Sequence, residues 1–144
     1  MPISQGIETA FLFEISARIS DPAPVVVGQS ESALTVVTVM SGQFVGPAMR
    51  GRVLPVAGGD WVSVKSDGSM KLDVRLVLET DDNDLIYMTY QGVGIAEQTG
   101  TLRLVTAPMF STSSVKYDFL NRIQAVAVGK SQAGTVEYRV FKVL

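Results

Sequence analysis

Apolar and polar residues alternate along much of this chain, and no stretch holds the 3.6-residue spacing of an amphipathic helix. The clearest case is 69–80. There Leu72, Val74, Leu76 and Leu78 share one face, and Lys71, Asp73, Arg75, Val77 and Glu79 share the other, because side chains on a strand point to opposite sides in turn. Runs of Val, Ile, Leu, Thr, Phe and Tyr predict strands over 7–19, 34–40, 49–54, 60–65, 69–80, 84–92, 102–110, 119–130 and 136–143. The punctuation between them has a mechanism. Ser66-Asp67-Gly68 and Gln132-Ala133-Gly134 each offer a glycine free to take positive φ, and Asp81-Asp82-Asn83-Asp84 offers Asn83. Asp21-Pro22-Ala23-Pro24 is expected to end the first strand. Short strands at this cadence read as one domain over 1–144, an all-β antiparallel sandwich or barrel with helix limited to short turns.

Two segments are apolar on both faces: 34–40 and 123–128. In an α/β protein helices would cover the second face. No helix is available here, so the pattern favours a closed barrel packed against a sister subunit, and a homo-oligomer is expected. The composition points the same way. Hydrophobic residues make up 47% of the 144 residues, and the mean hydropathy is +0.28. Either the core is large or apolar surface is covered by another subunit.

Composition also narrows the chemistry. The chain has neither His nor Cys. Ser–His–Asp and Cys–His mechanisms are therefore excluded, and no metal site or cofactor is expected. The formal net charge is −2, with 12 basic and 14 acidic residues and no basic block, so nucleic acid is not an expected partner. No apolar run reaches the roughly 18 residues of a membrane helix, and the N-terminus lacks a signal-peptide pattern; a cytoplasmic protein is expected.

Several stretches resemble one family in the same order. They are Ser41-Gly42-Gln43-Phe44-Val45-Gly46-Pro47, Arg50-Gly51-Arg52-Val53-Leu54-Pro55, Gly58-Gly59-Asp60-Trp61, Asp67-Gly68 and Leu72-Asp73-Val74-Arg75. Glu79-Thr80-Asp81-Asp82, Leu85-Ile86-Tyr87, Pro108-Met109-Phe110, Tyr117 and Leu120-Asn121-Arg122 continue the series, with a looser fit through Glu8 and Gly28 before it. In these the chain resembles DUF3237, also called UPF0311. The resemblance implies a calycin-like, lipocalin-like barrel that forms homo-oligomers, with no assigned chemistry. Val105, Ser111 and Phe119 stand where many such sequences carry Arg, Glu and Trp.

The candidate site rests on residue types on these strands. Asp60 is a carboxylate base for a barrel mouth, and Trp61 is its apolar wall. Asp73 and Arg75 share a strand face. If that face lines the lumen they form a buried pair able to grip a carboxylate or enolate; otherwise they are solvated charges outside. The charged face is expected to turn inward, which gathers Asp60, Asp73 and Arg75 as catalytic groups in one polar cavity. Trp61, a tyrosine and Asn121 would be its ligand-binding neighbours. Tyr87 and Tyr90 lie on opposite faces of one strand, so only one can enter the lumen. Gly92-Val93-Gly94 lacks the strand-to-helix setting of a phosphate loop and is set aside. Three functions fit: a cofactor-independent isomerase, cyclase or lyase on a small organic substrate; a non-catalytic carrier of a small ligand; or a structural oligomer with a filled barrel.

Overall fold

The computed structural model of the chain describes residues 5–21, 23–27, 33–55, 59–97 and 100–144. Its strands are β1 (Thr9–Ile19), β2 (Ala23–Val27), β3 (Ala33–Val37), β4 (Val39–Val45), β5 (Arg50–Val53) and β6 (Gly59–Val64). They continue with β7 (Met70–Thr80), β8 (Leu85–Ala96), β9 (Thr101–Thr106), β10 (Met109–Ser111), β11 (Ala125–Gln132) and β12 (Thr135–Val143). All pair antiparallel in one 12-stranded sheet. The sheet closes on itself because β8 pairs with both β9 and β7, giving the ring β7–β8–β9–β11–β12–β1–β4–β5. The only helical element among the described residues is the 3-10 turn Asp118–Arg122, which replaces the start of the predicted strand 119–130. No helix there is long and apolar enough to cross a membrane.

The predicted strands divide where the chain bends. The run 34–40 splits at Thr38 into β3 and β4, and Thr38 is tied to the end of β1. Its carbonyl accepts from Ser20 N–H, and its own N–H donates to Ser20 Oγ, both at 2.9 Å. The Asp21–Pro24 stretch does end β1, but β2 starts within it; Pro24 is tolerated there because β2 is an edge strand. The sequence landmarks Pro22, Gly28 and Gly58 lie outside the described residues. At the hairpins, Asn83 (φ 66°) and Gly134 (φ 79°) take the left-handed positions their chemistry suits. Strand β7 is shared. Its N-terminal half pairs with β6 and its C-terminal half with β5, so β6–β3–β2 forms a wall rising beside the ring.

The β7 faces correct one expectation. Leu72, Val74, Leu76 and Leu78 point into the barrel and are buried, whereas Asp73 and Arg75 stand on the outer face. Their carboxylate and guanidinium lie 3.6 Å apart, with side chains 44% and 54% exposed. The physical reason is one of magnitude. Each aliphatic side chain gains about 1.5–3 kcal/mol on burial, while burying an ion pair costs several kcal/mol per ion. Arg75→Ala is therefore expected to cost about 0–1 kcal/mol in a urea melt, as for a surface pair; a loss of several kcal/mol would contradict this placement.

Going along β7–β8 from its hairpin, the inward pairs are Leu78–Ile86, Leu76–Met88, Val74–Tyr90, Leu72–Gly92 and Met70–Gly94. The first two pairs belong to a dense core with Phe13, Phe44, Phe110 and Val140. The Phe13 ring lies 5.4 Å from Phe44 and 6.0 Å from Phe110, in tilted and edge-on arrangements. After Tyr90 the next two positions of that face of β8 are Gly92 and Gly94, and a cavity lies at this end of the barrel.

Candidate functional site

The cavity has a volume of about 240 Å³. Its walls are aliphatic, from Ile15, Val62, Met70, Leu72 and Leu104 among others; the polar residues on the lining are Thr35, Asp60, Tyr90, Ser131 and Tyr138. Asp60 is the single charged residue of that lining among the described residues. It enters the lumen because its register partners, Val37 on β3 and Val74 on β7, are themselves inward.

The β6–β7 register runs through Gly59–Arg75 and Asp60–Val74, omits Trp61–Asp73 and Val62–Leu72, and resumes at Ser63–Lys71. Within that gap the Asp73 N–H donates to Asp60 Oδ1 at 3.2 Å. Asp73 thus contributes its backbone to the site, not its carboxylate. Burial raises the Asp60 carboxyl to about 6; the Asp73 N–H opposes this and the negative Asp73 side chain adds to it.

Tyr90 and Tyr138 meet beside Asp60. Their rings cross at 70° with centroids 5.4 Å apart, and their hydroxyls interact. Burial holds both hydroxyls above the ordinary tyrosine range, and charge on Asp60 pushes the same way. Both therefore stay protonated at neutral pH. Space for the Tyr138 ring comes from Gly129, its cross-strand partner: a Cβ there would lie 2.7 Å from Tyr138 Cδ1. The site thus presents an ionisable carboxylate next to two neutral hydroxyls in a largely apolar setting. Such a carboxylate is an acid below about pH 6 and a base above it.

The structure brings together Asp60 and Tyr90 of the residues singled out from the sequence. Trp61, 45% exposed, lies outside the lumen in an open groove of about 720 Å³ with Lys71, Asp73, Arg75 and Gln91. This groove is wider but open to solvent, and it holds no buried ionisable group. Tyr87 is 41% exposed on the outer face. Asn121 clips a loop: its Oδ1 accepts from Thr112 N–H at 2.8 Å, and its Nδ2 donates to the Thr112 carbonyl and to Asp118. The expected gathering of Asp73, Arg75, Trp61 and Asn121 around Asp60 is thereby corrected. Strand parity puts the first three outside, and Asn121 belongs to the 3-10 turn.

Sequence reasoning misses Tyr138 and the inward glycines Gly92, Gly94 and Gly129. The signal that could find two of them is parity: Gly92 and Gly94 continue the inward series Ile86, Met88 and Tyr90. Among the described residues no cluster of three or more carboxylates, His or Cys is arranged to hold a metal.

Residues 7–143 match the family model described as protein of unknown function (DUF3237). The chain belongs to the DUF3237 family. A UPF0311 protein of Rhodopseudomonas palustris is 26% identical over 96% of this chain and 97% of its own length. Among solved structures, a β-barrel-like protein from Acinetobacter baumannii AYE matches with a TM-score of 0.88 at 24% identity, covering 100% of both chains. An enzyme from Penicillium herquei matches with a TM-score of 0.73 at 20% identity, over 100% of this chain and 99% of its own. These structural matches establish the β-barrel fold. Val105, Ser111 and Phe119 do not line the cavity.

Proposed function

We propose that this DUF3237 protein is a cofactor-independent acid–base enzyme whose lumen takes a small organic molecule, Asp60 removing or returning a proton while Tyr90 and Tyr138 hydrogen-bond the oxygen on which charge develops. One observation carries the reading: an isolated carboxylate with a raised pKa sits beside two hydroxyls in an otherwise apolar cavity. Isomerisation, cyclisation and elimination need no more than this, since each moves a proton without net oxidation. An engineered cavity of about 150 Å³ holds benzene. By that scale 240 Å³ suits a molecule of roughly ten heavy atoms. The unfilled cavity weighs against a purely structural barrel, and the Penicillium herquei relative of the same fold, described as an enzyme, favours catalysis over storage.

The test uses ketones of up to about ten heavy atoms, with and without an amino group, in D₂O. Deuterium should enter carbon in the presence of protein, at a rate that rises through about pH 6. Asp60→Asn should slow exchange by about 10²-fold or more, the usual worth of a general base. Exchange no faster than in Asp60→Asn would defeat the catalytic reading, and ligand binding retained without exchange would leave a carrier.

We also propose that the chain is a homo-oligomer. Val126, Phe141 and Phe11 form a cross-strand row on the outer face, with Val128 beside them. Phe11, Val126 and Val128 are exposed, and Arg139 lies over the Phe11 and Phe141 rings. Sedimentation at micromolar concentration should show more than a monomer, and Val128→Asp should dissociate it; a wild-type monomer would refute the proposal.

A further inference from the structure

The lumen has a charge problem that names its ligand. Among the described residues of the lining, Asp60 is the one charged group, and none is cationic. The groups facing it are few. Strand β3 presents Val37, β7 presents Val74 and the Asp73 amide, β8 presents Tyr90 and β12 presents Tyr138. The nearest ionisable side chains of β7, Asp73 and Arg75, pair with each other on the outer face at 3.6 Å. Among the described residues, the Asp73 N–H is the hydrogen-bond donor to Asp60. A carboxylate so placed is ionised above about pH 6 yet unpaired, an arrangement a protein normally relieves with a counter-charge.

The ligand that supplies it must be cationic at its head and apolar in its body. Three acceptors converge there: the Asp60 carboxylate and the hydroxyl oxygens of Tyr90 and Tyr138. A primary ammonium has three N–H donors to match, and the crossed tyrosine rings add the electron-rich faces that attract cations. A carboxylate- or phosphate-bearing ligand meets the Asp60 charge with no cation among the described lining residues to offset it. Building on the reading of the lumen as a ligand site, we propose that its ligand class is a primary amine with an apolar, ring-sized body, the amino head seated at Asp60 between Tyr90 and Tyr138 and the body along the aliphatic wall. This agrees with acid–base chemistry. When the ammonium N–H bond breaks and an O–H bond forms on Asp60, the pair becomes a neutral acid and a neutral amine with a free lone pair.

The experiment compares 2-phenylethylamine, 2-phenylethanol and phenylacetate on the intact protein, following the methyl resonances of Ile15, Val62 and Leu104 by NMR together with calorimetry. At pH 7.5 the amine is expected to bind at least about tenfold more tightly than the alcohol, and phenylacetate is expected not to bind. The gap should close at pH 5, where Asp60 is protonated, and in Asp60→Asn; Tyr87→Phe, on the outer face, should leave it unchanged. Should Asp60→Asn fail to fold, the wild type still decides, because bound amine must lower the Asp60 titration midpoint and the alcohol must not. Alcohol or phenylacetate binding in the lumen as tightly as the amine overturns the amine class and leaves the lumen a ligand site. If none of the three moves the lumen methyls at millimolar concentration, both readings fall.

Discussion

Asp60→Asn is expected to make the folded protein more stable at pH 7.5, by up to about 3 kcal/mol. The sign comes from linkage. The Asp60 carboxyl titrates near 6 in the folded chain, against 3.8 as the ordinary value. Between those values the native state holds more protons than the unfolded state, so wild-type stability falls as pH rises from about 4 through 6. A difference of roughly two units, at 1.36 kcal/mol each, sets the scale. Below about pH 4 both states are protonated and the penalty is absent. Asparagine keeps a carbonyl oxygen for the Asp73 N–H and carries no charge, so its stability should be flat through the same window. Urea melts at pH 4, 5, 6 and 7.5 should therefore diverge, with the variant ahead at the high end. Parallel curves would mean that Asp60 is solvated rather than buried. A functional group maintained at a cost in stability is the pattern expected of a working site rather than a structural one.

The opposite outcome is expected at the packed end. Phe13→Ala should destabilise by about 3–5 kcal/mol, the range for deleting a fully buried aromatic side chain. Phe13 is wholly inaccessible and touches the rings of Phe44 and Phe110, which come from β4 and β10 on different parts of the sheet. No single neighbour can move in to fill the space. The denaturation midpoint should fall with the slope unchanged. A loss below about 1 kcal/mol would show that this region is loosely packed, contrary to interiors of native density.

The strands are more legible in the sequence than their assembly. The alternation in 69–80 survives intact in β7, because a period of two leaves little freedom in which residues share a face. Which face is inside is decided by burial energy: four aliphatic side chains outweigh one ion pair. The run 34–40 conceals a bend, since Thr38 is tied to Ser20, a contact that exists only after β1 and β4 are paired. Asp60 and Tyr90 can be picked out as chemistry-bearing residues on strands. Their meeting with Tyr138 cannot, because it depends on closure of the sheet between β7 and β8 and on the stagger this imposes across several strands. Gly92 and Gly94 fail as a phosphate loop; a Cβ at Gly92 would lie 2.2 Å from the Val105 carbonyl oxygen, so this glycine serves the close approach of β8 to β9.

The change from Leu78–Ile86 to Met70–Gly94 along one strand pair divides labour within a single sheet. One end of the barrel is filled by its side chains, and the other leaves a space between them. Substitutions around Met70 and Leu104 then alter the shape of the cavity, while the end around Phe13 and Phe44 keeps its packing. A scaffold with this polarity can diversify its chemistry among distant relatives while the architecture persists, and it offers engineers a vessel whose capacity is adjustable independently of its frame.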